Sequence, residues 1–335
     1  MARSLPKTSF ISKRINPSTF LIIEDDSYGE QPYIYVKLYP NHIFVTDTGC
    51  NSPRSSKPSL TSLREYIETI PLPDYDNKPL NSPGPTQKQY VIICTHCHYD
   101  HILGIPQFLS ATPPPLIIAS KAGQNFITHN LPSHSLCKYI PIPTPKYTVT
   151  NWVDYLSTLS IPGLIQPFRV IFLHTPGHTP DSLSYYDIDT QTLYTGDLFY
   201  TRHPTPPTPS IAVPPATGAI IFPVDGNFIT YMSTLDLLLS FIRHRNRILK
   251  SQAELTPPPV LRVKSCCSHL TYNVDAETIV EGVKGLFERI IRGEVPSSGK
   301  EVRRGVVMEL WVEEGGVFSV LAPSKTFKSK YYHSN

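Results

Sequence analysis

The sequence predicts an α+β sandwich, two mixed β-sheets with helices on the outer faces. Short apolar runs of strand length alternate with amphipathic helical stretches, and hairpins interrupt that alternation in both halves of the chain. A hydrophobic content of 40% in 335 residues is enough to fill a sizeable core.

The elements follow in order. Apolar runs at 19–23, 33–38 and 43–46 are separated by turn formers (Asp25, Asp26, Gly29; then Pro40 and Asn41) and predict an antiparallel meander. Residues 60–70 place apolar side chains at helical spacing after a Ser/Pro start. A buried strand is expected at 90–94, a helix starting at Ile102, a strand at 116–119 and a helix near 121–129. In the second half, 168–173 reads as a strand, and 182–186 with 192–195 as a hairpin ending in Gly196-Asp197. Residues 229–249 form the longest amphipathic stretch, with Met232, Leu235, Leu238, Leu239 and Ile242 on one stripe. A strand at 260–266, a closing helix at 274–292 and a hairpin around Glu314-Gly-Gly316 complete the chain.

Proline, at 35 residues, is about twice its usual share of roughly 5% and falls in clumps that exclude helix and central strand. We therefore read residues 1–17 as an N-terminal extension and 18–335 as one domain with Pro-rich loops at 71–87, 131–146 and 203–216. The formal charge of +3 contains no Lys/Arg block, which argues against nucleic acid or an anionic membrane as partner. No apolar stretch approaches the ~20 residues of a membrane span. Residues 1–23 are basic, contain Ser and have no acid before Glu24, like an organelle transit peptide, but 19–23 reads better as the first strand. Six cysteines without small-domain disulfide spacing fit a reducing cytoplasm.

The chemistry concentrates in Cys94-Thr95-His96-Cys97-His98-Tyr99-Asp100-His101, directly after an apolar strand. Residues i and i+2 of an extended segment point to one side, so His96 and His98 are placed to grip one ion. Asp100 and His101, beyond the strand, are free to turn toward a second. Imidazole and carboxylate suit zinc and its first-row neighbours. Any one histidine is more often an ordinary surface or core residue; the cluster is what defeats that reading. All the candidate ligands follow the carboxyl end of a strand, on loops that a rigid scaffold can gather.

Taken together, His96-x-His98-x-Asp100-His101, Pro176-Gly177-His178, Gly196-Asp197 and His269 resemble the metallo-β-lactamase-fold hydrolases over about residues 18 to 295. The resemblance implies that fold, with His96, His98 and His178 on a first metal, Asp100, His101 and His269 on a second, and Asp197 bridging the two. Three imidazoles leave an open position on the first ion, as a catalytic site requires. It implies two divalent cations, zinc by default, and a supporting place for Asp47 behind a metal-bound histidine; a turn-forming Asp before Gly reads as well. His174 is left structural or supporting. One departure is Ile-Leu-Gly after His101, where a Gly-Gly pair is common. Cys94, Cys97, Cys266 and Cys267 read as small buried residues, not as thiolate ligands.

The reaction so implied is hydrolysis, with a hydroxide held between two ions attacking a carbonyl and Asp100 as the catalytic residue that orients the water or shuttles its proton. A small-molecule thioester or ester, as in glyoxalase II-like and thioesterase branches, is the first substrate class. Lactone or β-lactam hydrolysis and a mononuclear iron, persulfide-type oxidase are the alternatives, and a nuclease is disfavoured for want of a basic groove. Phe199, Tyr200, Ile220, Ile221 and Phe222 are candidates for an acyl pocket, with burial in the core the competing assignment. Arg243, Arg245, Arg247 and Lys250 are candidates for a coenzyme A phosphate, although a helix C-terminus favours cations too. Oligomeric state is not legible.

Overall fold

Every second side chain of the early apolar runs is wanted on one buried face, and that requirement makes them strands. Phe20 and Ile22, Ile34 and Val36, Ile43 and Val45, and Tyr90 and Ile92 share one cluster with Leu63, Tyr66, Ile67 and Ile127, which come from helices. The computed structural model describes residues 5–161, 168–205, 218–255 and 261–327. They divide into two compact units, the first ending at Val153 and the second beginning at Asp154.

The first unit is built on a seven-stranded sheet in sequence order: β1 (Phe10–Asn16), β2 (Thr19–Glu24), β3 (Tyr33–Leu38), β4 (His42–Thr46), β5 (Gln89–Ile93), β6 (Leu116–Ser120) and β7 (Asn151–Val153). The meander β1 to β4 is antiparallel, while β4, β5, β6 and β7 run parallel. Residues 10–16, which the sequence places ahead of the domain, are thus an edge strand of it. Helix α1 (Leu63–Thr69) starts at Ser62, whose hydroxyl accepts the Glu65 N–H. Helix α2 (Tyr99–Ile102) lies on the histidine motif itself. The helix expected to start at Ile102 instead ends there. Gly104 and Pro106 follow, and a 3-10 turn over Ile105–Phe108 takes its place. Helix α3 (Gln124–His134) breaks its helical backbone at Asn130.

The second unit holds two sheets. One orders as β13-β12-β10-β9-β8, from β8 (Val170–His174), β9 (Leu183–Asp187), β10 (Thr192–Tyr194), β12 (Lys264–Cys266) and β13 (Val274–Asp275). The other orders as β11-β16-β15-β14, from β11 (Ile220–Ile221), β14 (Ser297–Arg303), β15 (Val306–Val312) and β16 (Ser319–Pro323). Strand β14 is exposed at every residue, so it carries no apolar pattern a sequence reading could detect. Helices α4 (Phe228–Leu255) and α5 (Ala276–Ile291) bury Leu235, Leu238, Ile242, Val283, Leu286 and Phe287 in one cluster. Phe199, Tyr200, Ile220 and Phe222 are buried in that same cluster, which favours their assignment to the core. Residues 206–217, including most of the third Pro-rich loop, lie outside the described residues, as do 257–259.

Candidate metal centre

In the first unit, parallel strands deliver the donors to one edge. Because Thr46 of β4 pairs with Ile93 of β5, the residues that follow the two strands leave the sheet side by side. Asp47 donates its N–H to Ile93 O at 2.9 Å. Its carboxylate accepts the Thr95 N–H (Oδ1, 2.8 Å) and the Thr95 hydroxyl (Oδ2, 2.8 Å). Asp47 Oδ2 also lies 2.8 Å from His101 Nδ1. A carboxylate only accepts, so His101 carries its proton on Nδ1 and turns the Nε2 lone pair toward Asp100 Oδ2, 3.2 Å away. Thr48 completes the clamp, its N–H and hydroxyl both donating to His101 O at 2.8 and 2.9 Å.

His96 Nε2 and His98 Nδ1 converge to 2.9 Å. Zn–N bonds of about 2.0–2.1 Å put two ligating nitrogens ~3.3 Å apart at tetrahedral angles, so this pair has close to the spacing of two ligands. His96, His98, Asp100 and His101 are all buried. The loop is braced on its far side by Tyr99, whose hydroxyl donates to Glu30 and whose N–H donates to Ser135 O at 2.9 Å. Of the Gly-Gly pair that is common after the motif, the remaining Gly104 is the position where close approach is needed, since a Cβ there would lie 2.2 Å from Thr48 O. Leu103, in place of the other glycine, fills a cluster with Cys50, Tyr99 and Cys137.

The second unit repeats the arrangement. Strand β10 is parallel to β12, with Tyr194 opposite Cys266, so Asp197 and His269 follow strands that end at the same edge. Ser268 N–H donates to Gly196 O at 3.0 Å and fixes one loop on the other. His178 lies on the β8–β9 connection. Its Nδ1 lies 2.9 Å from Ile221 O, and a carbonyl only accepts, so this ring too carries its proton on Nδ1. His178 Nε2 faces Asp197 Oδ2 at 3.8 Å, and His269 Nε2 faces Asp197 Oδ1 at 3.3 Å. One carboxylate therefore offers a different oxygen to each of two histidines, the posture of a bridging ligand. Tyr200 sets its ring edgewise against His269, with centroids 5.5 Å apart.

These donors fit divalent cations. A lone-pair nitrogen facing a carboxylate oxygen is repulsive unless a proton or a cation lies between them, and for His101 and His178 the second ring nitrogen is already committed. The six cysteines are buried and form no disulfide. Burial pushes the Cys267 thiol up to about 12, with Thr195 and Ser265 opposing the shift and Asp197 adding to it, which suits packing more than ligation. His174 bonds Pro180 O at 2.9 Å from the end of β8, a structural place. Thr95 and the Ile221 carbonyl are supports that reading the sequence misses. Thr95 alone carried a signal, its place inside the motif.

The sequence pattern of the metallo-beta-lactamase superfamily matches residues 31–244. The chain belongs to that superfamily. Its mixed sheets with helices are the fold class the sequence predicts, and the superfamily's fold binds divalent metals and hosts mostly hydrolases and related enzymes. A relative from Aspergillus versicolor, named "Putative transcription factor avaE", is 29% identical over 313 residues, spanning 92% of this chain and 84% of its own. Among solved structures, the DIM-1 metallo-beta-lactamase exposed to ceftazidime is 12% identical, with a TM-score of 0.48 over 84% of this chain and 100% of that one. A metallo-beta-lactamase family protein from Thermus thermophilus is 14% identical, with a TM-score of 0.49 over 86% of each chain. No helix among the described residues of this superfamily member is long and apolar enough to cross a membrane.

Proposed function

We propose that this chain is a metal-dependent hydrolase of a small-molecule thioester or ester. The observation that carries the reading is Asp197 offering one oxygen to His178 and the other to His269. In this reading His96, His98 and His178 hold one divalent ion, Asp100, His101 and His269 hold a second, and Asp197 is shared. Zinc is the first candidate. Such ions, when bound, lower the pKa of water toward 7 and polarise a carbonyl oxygen. The chain's own part is positional. Asp47 and the Ile221 carbonyl lock the His101 and His178 rings with Nε2 presented. The Asp100 carboxylate accepts the proton of the attacking water and returns it to the departing thiolate or alkoxide, giving acid plus thiol or alcohol.

The test is thiol release from a panel of acyl-coenzyme A and glutathione thioesters, with and without chelator, on protein of measured metal content. Chelator-sensitive release that Asp100→Asn abolishes in folded, metal-loaded protein is the expected result. Silence across the panel with two zinc ions per chain would transfer the reading to lactones or lactams. A single bound iron would sink it in favour of an oxidase. Duplex DNA belongs in the binding controls because of the Aspergillus relative's name.

A further inference from the structure

Helix α4 continues past Lys250 to Leu255, so Arg243, Arg247 and Lys250 stand before its last turn. The attraction of a helix C-terminus for cations fades beyond that turn and does not explain them. They line an open groove of about 620 Å³ in the second unit, together with Asn246, Arg262 and Glu277. That volume is in the range of small-molecule sites, roughly 300–1,000 Å³.

The groove contains two kinds of cation. Arg243 and Arg262 are tied down: Arg243 Nε donates to Glu277 Oε1 at 2.9 Å and its Nη2 to Glu281, while Arg262 donates from Nε to Asp275 Oδ2 at 2.6 Å and from Nη2 to Glu277 Oε2 at 2.9 Å. Asn246 stiffens the floor, donating to Glu277 Oε2 at 3.0 Å and accepting the Val263 N–H at 2.9 Å. Arg247 and Lys250 are different. Both are exposed, and neither takes part in an ion pair among the residues whose side chains are described. They lie three residues apart on one helical face, which brings their side chains together.

We infer that this groove is a binding site for a small organic phosphate carrying at least two phosphate charges, of nucleoside diphosphate size. Guanidinium groups match phosphate oxygens in bidentate fashion, and an ammonium adds a point charge. The buttressed arginines need little ordering on binding, while Arg247 and Lys250 bring charge that no described ion pair takes up. The cations converge on one concavity and do not run along a track, which favours a compact anion over a nucleic-acid backbone. The site stands independently of the chemistry proposed for the His/Asp residues.

Calorimetric titration of the chelator-treated 335-residue chain with ADP tests this, chelation removing capture of phosphate by a metal. ADP binds and adenosine does not. Arg247→Ala and Lys250→Ala each weaken ADP binding at least about tenfold, and neither changes the melting temperature, since neither side chain bonds a described neighbour. No ADP binding, or equal binding by both variants, overturns the inference. Binding of duplex DNA or polyglutamate with no affinity for ADP overturns it in favour of a macromolecular partner.

Discussion

Asp47 adopts φ +59°, a left-handed conformation uncommon for a residue with a side chain. The strain sits where three donors, from Thr95 and His101, converge on one carboxylate. Glu24, like its neighbour Asp26, is buried, and its carboxylate takes the N–H groups of Cys50 (2.7 Å) and Ser52 (3.1 Å) in the loop after Asp47. Burial pushes its carboxyl up from 4.5 to about 7, with Asp26 adding to the shift and the backbone donors of Ser52, Cys50 and Asn51 opposing it. The folded state then holds this proton more tightly than the unfolded chain. The resulting stability is full below pH 4.5 and is lost as pH rises toward about 7. The loss amounts to about 3 kcal/mol. Melting temperatures from pH 5 to 8 should therefore fall more steeply in the wild type than in Glu24→Gln. Parallel profiles would show that Glu24 does not titrate there.

Turns and strand ends, more than helices, carry the elements' share of the function. Gly177 adopts φ +137° in the Pro-Gly-His turn, and a Cβ there would lie 2.4 Å from Tyr231 Cα in α4. Gly177→Ala must push the turn off the helix and move His178. A cost of at least about 2 kcal/mol in chemical denaturation is expected, together with weaker zinc binding. Gly315, at φ +59° with nothing within 4 Å of its would-be Cβ, is the control. Gly315→Ala should cost only about 1 kcal/mol and leave zinc binding alone. Equal effects of the two changes would refute the close-approach argument. The main strands and the two long helices were legible because apolar periods of 2 and 3.6 announce them. Strands β1, β7 and β14 were not. β1 has one fully buried residue and β14 none, and β7 is three residues long.

At the scale of the molecule, the four donors of residues 96–101 belong to one unit, and His178, Asp197 and His269 to the other. Shared ions would make zinc a link between the two. Ligand that binds only the native state adds about 2.7 kcal/mol at a hundredfold excess over Kd. Returning zinc to chelated protein should raise the melting temperature by several degrees, and His101→Ala and His269→Ala should each remove most of that gain. A full gain in either variant would contradict a shared centre.

The sequence by itself determined the fold class, the superfamily and the identity of the candidate donors. Apolar periodicity is written locally, and ligand types crowd into short motifs at strand ends. Only the tertiary structure decided what holds those donors. His101 is locked by Asp47 across parallel strands, His178 by the Ile221 carbonyl, and the loop after Asp47 by Glu24. None of these partners adjoins its histidine or loop in sequence, and a backbone carbonyl leaves no mark on residue identity. Tertiary structure likewise separated Arg247 and Lys250 from Arg243 and Arg262, because a carboxylate cancels a cation only where the fold brings it within reach.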